Sequence, residues 1–481
     1  MSDIVSYTVP VTSGGTTTDT TLYFKDTDLR DNVDEVKEYI GYVPPKVIGL
    51  QADFENSTFT RLGDAVGLSA GSDFDQFPMY GGRRLCNLAD DGTVNAWYGE
   101  AGYTEDGSNG QVMVYQPKFY YKVVPLKIQA IEKATSTNIP EGYHLLKANY
   151  YICAEKKGGF KVHPAFFDGD GNEVDGIYIS AYEGSLFDVS ENKYLMYDDM
   201  EPAGDGTYTQ GVYLLDKDND KLCSIAGVKP VSGLKHTQFT RTNLEQIAQN
   251  RGSRWHGETV QVISMKQLLM VIEYATFNFQ TAIGAGVTSI TDVSTDSVTV
   301  QTGATSSLGE GTGIAESTDV YISTGHKTGS RLAERSVRYR GVENDWGNIY
   351  KFINGLNIWG DGKRYGGIPY YCEDFSFAES KKTDNYKSMA FTLTNANDYI
   401  RYFGWSAECD WAFLPSKTGS GASSDIPVGD HILVKANLNG YRIAFLGGFW
   451  DDGYTAGSFS GYTYYGADYH LSIIGARIFF V

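Results

Sequence analysis

Several features are scarce in this sequence of 481 residues. Proline occurs 13 times, and no two of the five cysteines have CxxC spacing. The cysteines are Cys86, Cys153, Cys223, Cys372 and Cys409. An odd number of dispersed cysteines favours free thiols in a reducing cytosol and gives no readable zinc site. No apolar run is long enough to span a bilayer, and the first residues lack the basic and apolar regions of a signal peptide. The sequence therefore predicts a protein made in the cytoplasm without a signal peptide and not inserted into a membrane.

Positive charge is also in deficit. Lysine and arginine total 40 against 59 acidic residues, which gives a net charge of −19 at pH 7. Because nucleic-acid phosphates are bound by basic surfaces, this balance argues against a nucleic-acid partner. Hydrophobic residues at 41% and charged residues at 21% are typical of a globular protein. Glycine (55 residues) and tyrosine (35 residues) are abundant, which favours short strands and loops.

Residues 1–45 differ from the rest of the chain. A threonine-rich extended segment, SGGTTTDTTLYF, precedes a short amphipathic pattern, DNVDEVKEYIG, which predicts a helix ending at Gly41. Two interpretations stay open for this segment, a frayed terminus and a docking or trimerising arm. The remainder, residues 46–481, is predicted to form one elaborated domain.

Residues 46–240 predict mainly strands and turns. The segment 112–128, VMVYQPKFYYKVVPLKI, alternates apolar and polar residues, and 166–185 predicts a hairpin that turns at DGDGN. An EF-hand loop needs Gly at its sixth position and Glu at its twelfth, where this chain has Glu173 and Ile179. DGDGN and the similar DKDND (216–220) are therefore interpreted as plain turns. After residue 360 the strand patterns return in KSMAFTL, HILVKANL, YRIAFLGGFW and IGARIFFV.

Three helices are predicted in the middle of the chain. Capping boxes at Thr242–Glu245 and Ser264–Gln267 predict the first turns of two of them. The second helix would bury Leu268, Val271, Ile272 and Ala275. The third is predicted over 343–357, where a helical stripe contains Trp346, Ile349, Ile353 and Leu356. Between the last two helices, the Thr/Ser/Gly-rich segment 287–313 predicts a long loop or hairpin.

Several motifs resemble known families. LGGFW (446–450), AGSF (456–459) and IGARIFFV (474–481) resemble the C-terminal signature of the C-type-lectin-like fold, which formylglycine-generating enzymes share with variable proteins of diversity-generating retroelements. Segments 161–185, 252–278 and 338–358 resemble phage and prophage tail-tip proteins of the major-tropism-determinant type. The resemblance covers about residues 46–481. It implies an α+β, C-type-lectin-like (formylglycine-generating-enzyme-like) domain with insertions, strand-rich and containing two or three helices.

The stretch DDGYTAGSFSGYTYYGADYHLSI (451–473) contains no Lys, Glu, Gln, Met or Trp. In diversity-generating retroelements, an error-prone reverse transcriptase changes adenines of AAC and AAT codons, and the resulting codons never encode those five residues. The resemblance therefore implies a variable ligand-binding region at about 447–477, and a Gly/Tyr-rich loop that lacks these residues by chance is the alternative. Tyrosine offers a large rigid contact area while Ser, Gly and Asp adapt their hydrogen bonding, as in antibody paratopes.

Positions that are free to vary cannot be core positions, because a misplaced group in a close-packed interior costs about 1–5 kcal/mol. We therefore predict that the ligand-binding residues are exposed and cluster on one face. They are Phe449, Asp451, Asp452, Tyr454, Thr455, Ser460, Tyr462, Tyr464, Tyr465, Asp468, Tyr469, His470 and Leu471. The scaffold beneath them is predicted to be Gly447, Gly448, Trp450, Ala456, Gly457, Phe459, Gly475 and Arg477.

The resemblance implies a phage or prophage receptor-binding protein, assembled as a homotrimer into the virion at the tail tip or fibre. Its partners would be a host-cell surface receptor, either protein or glycan, and other tail proteins through the N-terminal arm. A glycan would favour stacking on Tyr462, Tyr464, Tyr465 and Tyr469. No cofactor is expected, although the Asp/Asn-rich turns and related lectin-like folds leave a structural calcium ion open.

The alternative is a formylglycine-generating-type oxidase or another enzyme on the same fold. Those oxidases hold copper with two cysteines close together in the C-terminal part of the domain, whereas Cys372 and Cys409 are far apart in the sequence. The seven histidines are dispersed, and neither GxSxG nor HExxH occurs. His256 and Glu258 are interpreted as polar residues between two helices. Three carboxylates, Glu343, Asp345 and Glu373, would suit a glycosidase only at a fixed separation. We predict binding without catalysis.

Overall fold

The computed structural model describes most of the chain. The described residues are 4–13, 16–25, 45–131, 142–195, 200–202, 208–210, 215–233, 238–290, 299–316, 319–321, 327–330, 335–361, 367–378, 384–419, 426–435 and 438–481. The chain divides into two compact units, Met1–Lys46 and Val47–Val481. In the first unit, Ile4–Ser13 and Thr16–Lys25 form an antiparallel hairpin. The helix predicted within residues 31–41 lies outside the described residues.

The second unit is built around a large mixed sheet, whose described strands number 14. Along its main path, neighbouring strands are Lys161–Val162, Tyr120–Ala130, Tyr143–Cys153, Asn397–Trp405, His431–Val434, Gly457–Thr463, Asn439–Gly447, Tyr350–Asp361, Ile368–Cys372 and Tyr386–Ser388. Four further strands join from the side, namely Ile48–Asp53, Thr58–Gly63, Pro415–Thr418 and Ile474–Gly475. The patterns predicted as strands at 112–128 and in HILVKANL, YRIAFLGGFW and IGARIFFV do contain strands, whereas in KSMAFTL only Lys387 and Ser388 belong to one.

A six-stranded sheet packs in the same unit. Its strands, in order, are Trp255–Gly257, Ile478–Phe480, Gly176–Ser180, Gln111–Pro117, Arg84–Leu88 and Val94–Trp97. Smaller sheets are formed by Lys193–Tyr194, Ser185–Asp188 and Lys221–Cys223; by Gly313–Ile314, Val337–Tyr339 and Val342–Glu343; by Met200–Pro202 and Tyr208–Gln210; and by Asp319–Tyr321 and Lys327–Ser330. Short 3-10 turns are Ser72–Phe74, Pro164–Phe166, Ser306–Leu308 and Gly453–Thr455.

The described α-helices are Pro78–Gly81, Arg241–Gln249, Val260–Tyr274 and Phe279–Ala282. The helix Val260–Tyr274 lies in the main core, and every residue from Val260 to Glu273 is buried. It ends where Ala275 adopts a left-handed conformation at φ 51°. With strands dominant and few helices, the fold is a β-rich α+β fold. No helix in the described part of the chain is long and apolar enough to cross a membrane.

The two predicted helix starts are each displaced by a few residues. Thr240, not Thr242, caps Arg241–Gln249 by accepting a hydrogen bond from the Asn243 amide at 3.4 Å. Thr259 caps Val260–Tyr274, five residues before the predicted cap Ser264. Ser264 is instead buried within the helix, where its hydroxyl donates to the Trp411 carbonyl. Both helices therefore begin after a threonine that has an extended backbone and accepts a hydrogen bond from an amide of the first turn.

The helix predicted over 343–357 is wrong. Tyr350–Asp361 is a strand that pairs with Asn439–Gly447 on one side and Ile368–Cys372 on the other. Before it, Asn344, Gly347 and Asn348 have positive φ angles of 49°, 76° and 63°, which an α-helix does not accommodate. Both faces of this segment are buried, so apolar residues occur at nearly every position and a helical spacing arises without a helix.

The two acidic segments, DGDGN and DKDND, form turns. The Asp168 carboxylate accepts hydrogen bonds from the Asp170 and Asn172 amides at 3.0 and 2.7 Å. In the second turn, the Asp216 carboxylate accepts from the Asp218 amide at 3.0 Å and from Asn219 Nδ2 at 2.7 Å. Both side chains thus close their own turns, a common role for aspartate.

Candidate functional site

The predicted variable region is centred on one strand inside the large sheet. Gly457–Thr463 pairs antiparallel with Asn439–Gly447 and parallel with His431–Val434. The turn 448–456 precedes this strand and the loop 464–473 follows it. Loops at the ends of sheet strands are common places for binding residues, because the sheet holds them while their own side chains face solvent.

The tyrosines that follow the strand form a continuous set of ring contacts. Tyr462 lies parallel to Phe445, with ring centroids 5.5 Å apart, and Tyr465 lies parallel to the same ring at 6.1 Å. Tyr469 stacks on Tyr465 at 3.7 Å, while Tyr464 meets Tyr465 edge-on at 4.7 Å. We call Tyr462, Tyr464, Tyr465 and Tyr469 the tyrosine cluster. Its most exposed members are Tyr464 and Tyr469, at 38% and 37%.

The tyrosine cluster is anchored in the core through Tyr350. This buried ring meets Tyr462 edge-on at 5.3 Å and stacks on Phe449 at 5.7 Å. Phe449 in turn contacts Trp450 edge-on at 5.2 Å. Phe449 and Tyr462 are partly buried by these contacts rather than fully exposed. The aromatic contacts therefore run from the interior to the surface, and the outer rings rest on a fixed inner base.

Asp452 belongs to the turn before the strand. Its carboxylate accepts hydrogen bonds from the Phe449 amide at 3.1 Å and from the Tyr350 hydroxyl. Burial raises the pKa of Asp452 to about 6, although these two hydrogen bonds act in the opposite direction. The Thr455 hydroxyl donates to the Asp452 carbonyl at 2.6 Å. Both residues are partly buried and hold the shape of the turn.

The predicted site residues fall into three groups by exposure. Those exposed are Asp451, Tyr454, Tyr464, Asp468 and Tyr469. Those partly buried are Phe449, Asp452, Thr455, Tyr462, Tyr465, His470 and Leu471. The predicted exposure of Ser460 is wrong, because this residue lies mid-strand between two neighbouring strands and is only 2% exposed. Tyr454 has 81% of its surface exposed and lies on the turn before the strand, apart from the tyrosine cluster.

The far end of the loop 464–473 is tied to an earlier part of the chain. The Asp468 carboxylate accepts a hydrogen bond from the Thr242 hydroxyl at 2.9 Å. His470 Nδ1 lies 3.0 Å from the Gly233 carbonyl, and the Gly233 amide donates to the Leu471 carbonyl at 2.9 Å. Since these contacts fix the backbone on both sides of Tyr469, that ring is presented on an anchored loop.

The predicted scaffold residues are buried, which confirms their packing role. Gly447 and Gly448 have φ angles of 103° and 81°, and a Cβ on Gly448 would lie 2.5 Å from that of Ala456. Glycine is thus required in the tight turn that follows the strand Asn439–Gly447. Trp450 is 4% exposed and shares a small core with Val287, Ile290 and Val300.

That small core was missed by the sequence reasoning, which treated 287–313 as a loose loop or hairpin. Its ends are packed, with Ile290 donating its amide to the Trp450 carbonyl at 2.7 Å. The signal available was the apolar residues Val287, Ile290 and Val300 within an otherwise Thr/Ser-rich stretch. Residues 291–298 lie outside the described part.

Buried charges also support the strand of the site. The Lys266 ammonium contacts the carboxylates of Glu258 (2.8 Å) and Asp345, and all three side chains are nearly inaccessible. Although burial alone would raise it, the pKa of Asp345 is lowered by Lys266 and neighbouring cations. At the next position of the same helix, Gln267 Nε2 donates to the Ser458 carbonyl at 2.7 Å. The central helix and the strand Gly457–Thr463 are thereby joined directly.

The residues considered for catalysis have structural partners. His256 Nδ1 lies 2.6 Å from Glu245 Oε1, and Glu258 pairs with Lys266. Glu343 is buried and accepts hydrogen bonds from the backbone amide and the hydroxyl of Thr305. Glu373 accepts from the Tyr371 hydroxyl at 2.8 Å and pairs with Lys387. These contacts account for the polar residues without a substrate.

The cysteines of the oxidase alternative are buried and free. Burial raises the pKa of both Cys372 and Cys409 to about 12. Since the thiolate is the form that binds metals and attacks substrates, these two thiols are poorly suited to either role. Among the described residues, no group of three or more His, Cys, Asp or Glu side chains is arranged to hold a metal ion.

Comparison with solved structures finds variants of the Major Tropism Determinant. The P3c variant is 12% identical over 88% of this chain and 77% of that chain, with a TM-score of 0.25. The U1 variant is 13% identical over the same shares, with a TM-score of 0.26. These are proteins of the type that the sequence motifs resemble, but TM-scores of this size do not establish a common fold or function. No protein-family model matches the chain, and no curated protein matches it.

Proposed function

We propose that this chain is a phage or prophage receptor-binding protein that binds a ligand on the host-cell surface through residues 447–477. In this proposal residues 46–481 form an elaborated C-type-lectin-like domain, and binding involves no catalysis. The observation that carries the proposal is the tyrosine cluster, whose outer rings Tyr464 and Tyr469 are exposed while its inner rings stack on Phe445. Exposed aromatic rings on a fixed base lose little entropy on binding, which suits a recognition surface.

We further propose that a diversity-generating retroelement varies this surface. Residues 451–473 contain none of the five residue types that mutated AAC and AAT codons cannot encode. Of the side chains that hold the fold, Trp450 lies just outside this stretch, Ala456 and Gly457 are small residues within it, and Phe459 is a core ring within it. Sequencing the DNA beside the gene tests this part. We expect a near-copy of the 3′ coding end that differs at adenines, next to a reverse-transcriptase gene; an unrelated flanking sequence would contradict it.

The proposed assembly is a homotrimer at the tail tip or fibre, with residues 1–45 as the docking arm. Three copies of one weak site would combine through effective concentration and raise avidity by roughly 10²–10⁴. Light scattering on the full-length protein at micromolar concentration is expected to give the mass of three chains. A monomer under those conditions would contradict the trimer and leave the single-site proposal to be judged separately.

Attachment to cells tests the receptor-binding role itself. Fluorescently labelled protein is incubated with a panel of bacterial isolates. We expect saturable binding to a subset of the strains, displaced by excess unlabelled protein, because a specific receptor has a finite number of sites. Binding that rises linearly on every strain, or no binding on any strain of a broad panel, would contradict the proposal.

A further inference from the structure

A polar cleft lies beside Tyr454. Its volume is about 420 Å³, and its lining includes Asn278, Gln280, Thr281 and Tyr454. This volume falls within the roughly 300–1,000 Å³ typical of small-ligand sites. None of the described residues that line the cleft carries a charge. The cleft is therefore suited to a polar but neutral ligand.

Backbone atoms and the Gln280 side chain hold the cleft in shape. The Gly453 amide donates to the Thr288 carbonyl at 2.6 Å. Gln280 Nε2 donates to the carbonyls of Ala285 at 3.0 Å and Gly453 at 3.3 Å. None of these bonds uses the side chain of residue 454. Replacement of Tyr454 would thus change one wall of the cleft and leave its frame in place.

The lining offers hydrogen-bonding groups of both kinds. Asn278 uses its Oδ1 to accept from the Thr281 amide at 3.1 Å, which leaves its Nδ2 as a donor. Gln280 uses its Nε2 as described, which leaves its Oε1 as an acceptor. The exposed Thr281 hydroxyl can act in either sense. Beside them stands the Tyr454 ring, 81% exposed.

A sugar ring has the complementary chemistry, with hydroxyls around its edge and an apolar C–H face that packs on aromatic rings. We infer that the cleft beside Tyr454 binds a neutral hexose or N-acetylhexosamine residue of a host-surface glycan, and that residue 454 sets which sugar is accepted. This inference rests on the proposed function, since the host surface supplies the glycan. An acidic sugar is excluded because burying its carboxylate against an uncharged lining is costly.

Saturation-transfer NMR on the full-length protein tests the inference. The probes are glucose, galactose, N-acetylglucosamine and N-acetylgalactosamine, with N-acetylneuraminic acid as the acidic comparison. We expect transfer to at least one neutral sugar and none to the acid. Tyr454→Ala should weaken that affinity by about tenfold or more, and Tyr454→Phe should retain it, because the stacking face is lost only in the first variant. The matched control is Tyr98→Ala, which removes another exposed tyrosine (39%) remote in sequence.

The inference is overturned if none of the four neutral sugars receives saturation, or if Tyr454→Ala binds the sugar as well as the unchanged protein does. The cell-attachment assay separates this failure from that of the proposed function. Saturable attachment without sugar binding would refute only the glycan cleft. Absence of attachment to any strain would refute the receptor-binding role, whatever the sugars show.

Discussion

Tyr465 and Tyr469 lie face to face, with ring centroids 3.7 Å apart and planes only 7° from parallel. Tyr465 is the inner ring, since it also lies parallel to Phe445, and Tyr469 is the outer one. This stacking orders an exposed side chain without burying it. The outer face of Tyr469 is thereby a flat aromatic surface, which we propose to be part of the binding site, whereas Tyr465 supports it from the inner side.

The outer and inner rings should differ in their effect on stability. Tyr469→Ala removes one partner of an exposed stacked pair and should lower the free energy of unfolding by about 0.5–1.5 kcal/mol. Tyr462→Ala removes a ring that packs on Phe445 and Tyr350 and should cost about 2–4 kcal/mol. Urea unfolding followed by fluorescence measures both. Equal losses of unfolding free energy in the two variants would contradict the distinction between a supporting inner ring, Tyr462, and an exposed outer ring, Tyr469.

Trp450 should be essential to the fold although it lies next to residues 451–473, which we propose to vary. It is 4% exposed and fills the small core with Val287, Ile290 and Val300. Trp450→Ala leaves a cavity there and should cost about 3–5 kcal/mol in unfolding free energy. The control is Tyr454→Ala, four residues away and 81% exposed, which should change stability by no more than about 0.5 kcal/mol. Thermal melting of the two variants side by side decides the matter, and a stable Trp450 variant would count against this packing role.

The buried lysine should matter far more than an exposed one. Lys266→Met leaves the carboxylates of Glu258 and Asp345 buried without their cation and should destabilise the protein by about 3–5 kcal/mol. Lys387→Met breaks a surface pair with Glu373, in which the lysine side chain is 60% exposed, and should cost less than about 1 kcal/mol. Chemical denaturation compares the two. Similar small losses would show that the buried contacts contribute little.

Stability should depend on pH through Asp452. Burial raises the pKa of this carboxyl to about 6 in the folded protein, against an ordinary value of 3.8. The unfolded chain therefore releases this proton first as the pH rises, so the contribution of Asp452 to stability is full below about pH 4 and is lost as the pH passes 6. In Asp452→Asn this dependence is absent. Unfolding free energies at pH 4, 5, 6 and 7 should show the variant gaining on the unchanged protein over that window, whereas parallel curves would refute the raised pKa.

Sequence patterns located most of the strands and the central helix but assigned a helix to the segment that forms the buried strand Tyr350–Asp361. Alternation at 112–128 predicts strands because one periodicity dominates there. At 343–357 the periodicity led to a wrong prediction. Ile349, Ile353 and Leu356 lie in a segment that is buried on both faces, where apolar residues occur at nearly every position and a helical spacing arises by chance. The backbone conformations of Asn344 and Asn348, which rule out a helix, depend on tertiary contacts and leave little trace in sequence.

The candidate site was predicted in outline only. Composition located the segment 451–473, and the exposure of Tyr454, Tyr464 and Tyr469 agrees with it. Composition could not distinguish these exposed residues from the buried Ser460. The burial of Ser460 comes from the two strands that flank its own strand, and composition does not show strand pairing. Nor could it reveal the support of Trp450 by Val287, more than 160 positions earlier, which only folding brings together.

The most direct test of the binding surface is attachment of a variant that lacks both outer rings. Tyr464→Ala combined with Tyr469→Ala is measured on a strain that the unchanged protein binds, together with its melting temperature. We predict at least a tenfold loss of cell attachment and a melting temperature within about 3 °C of the unchanged protein. Attachment that persists at full strength, with the fold equally stable, would contradict the proposal that the tyrosine cluster binds the host.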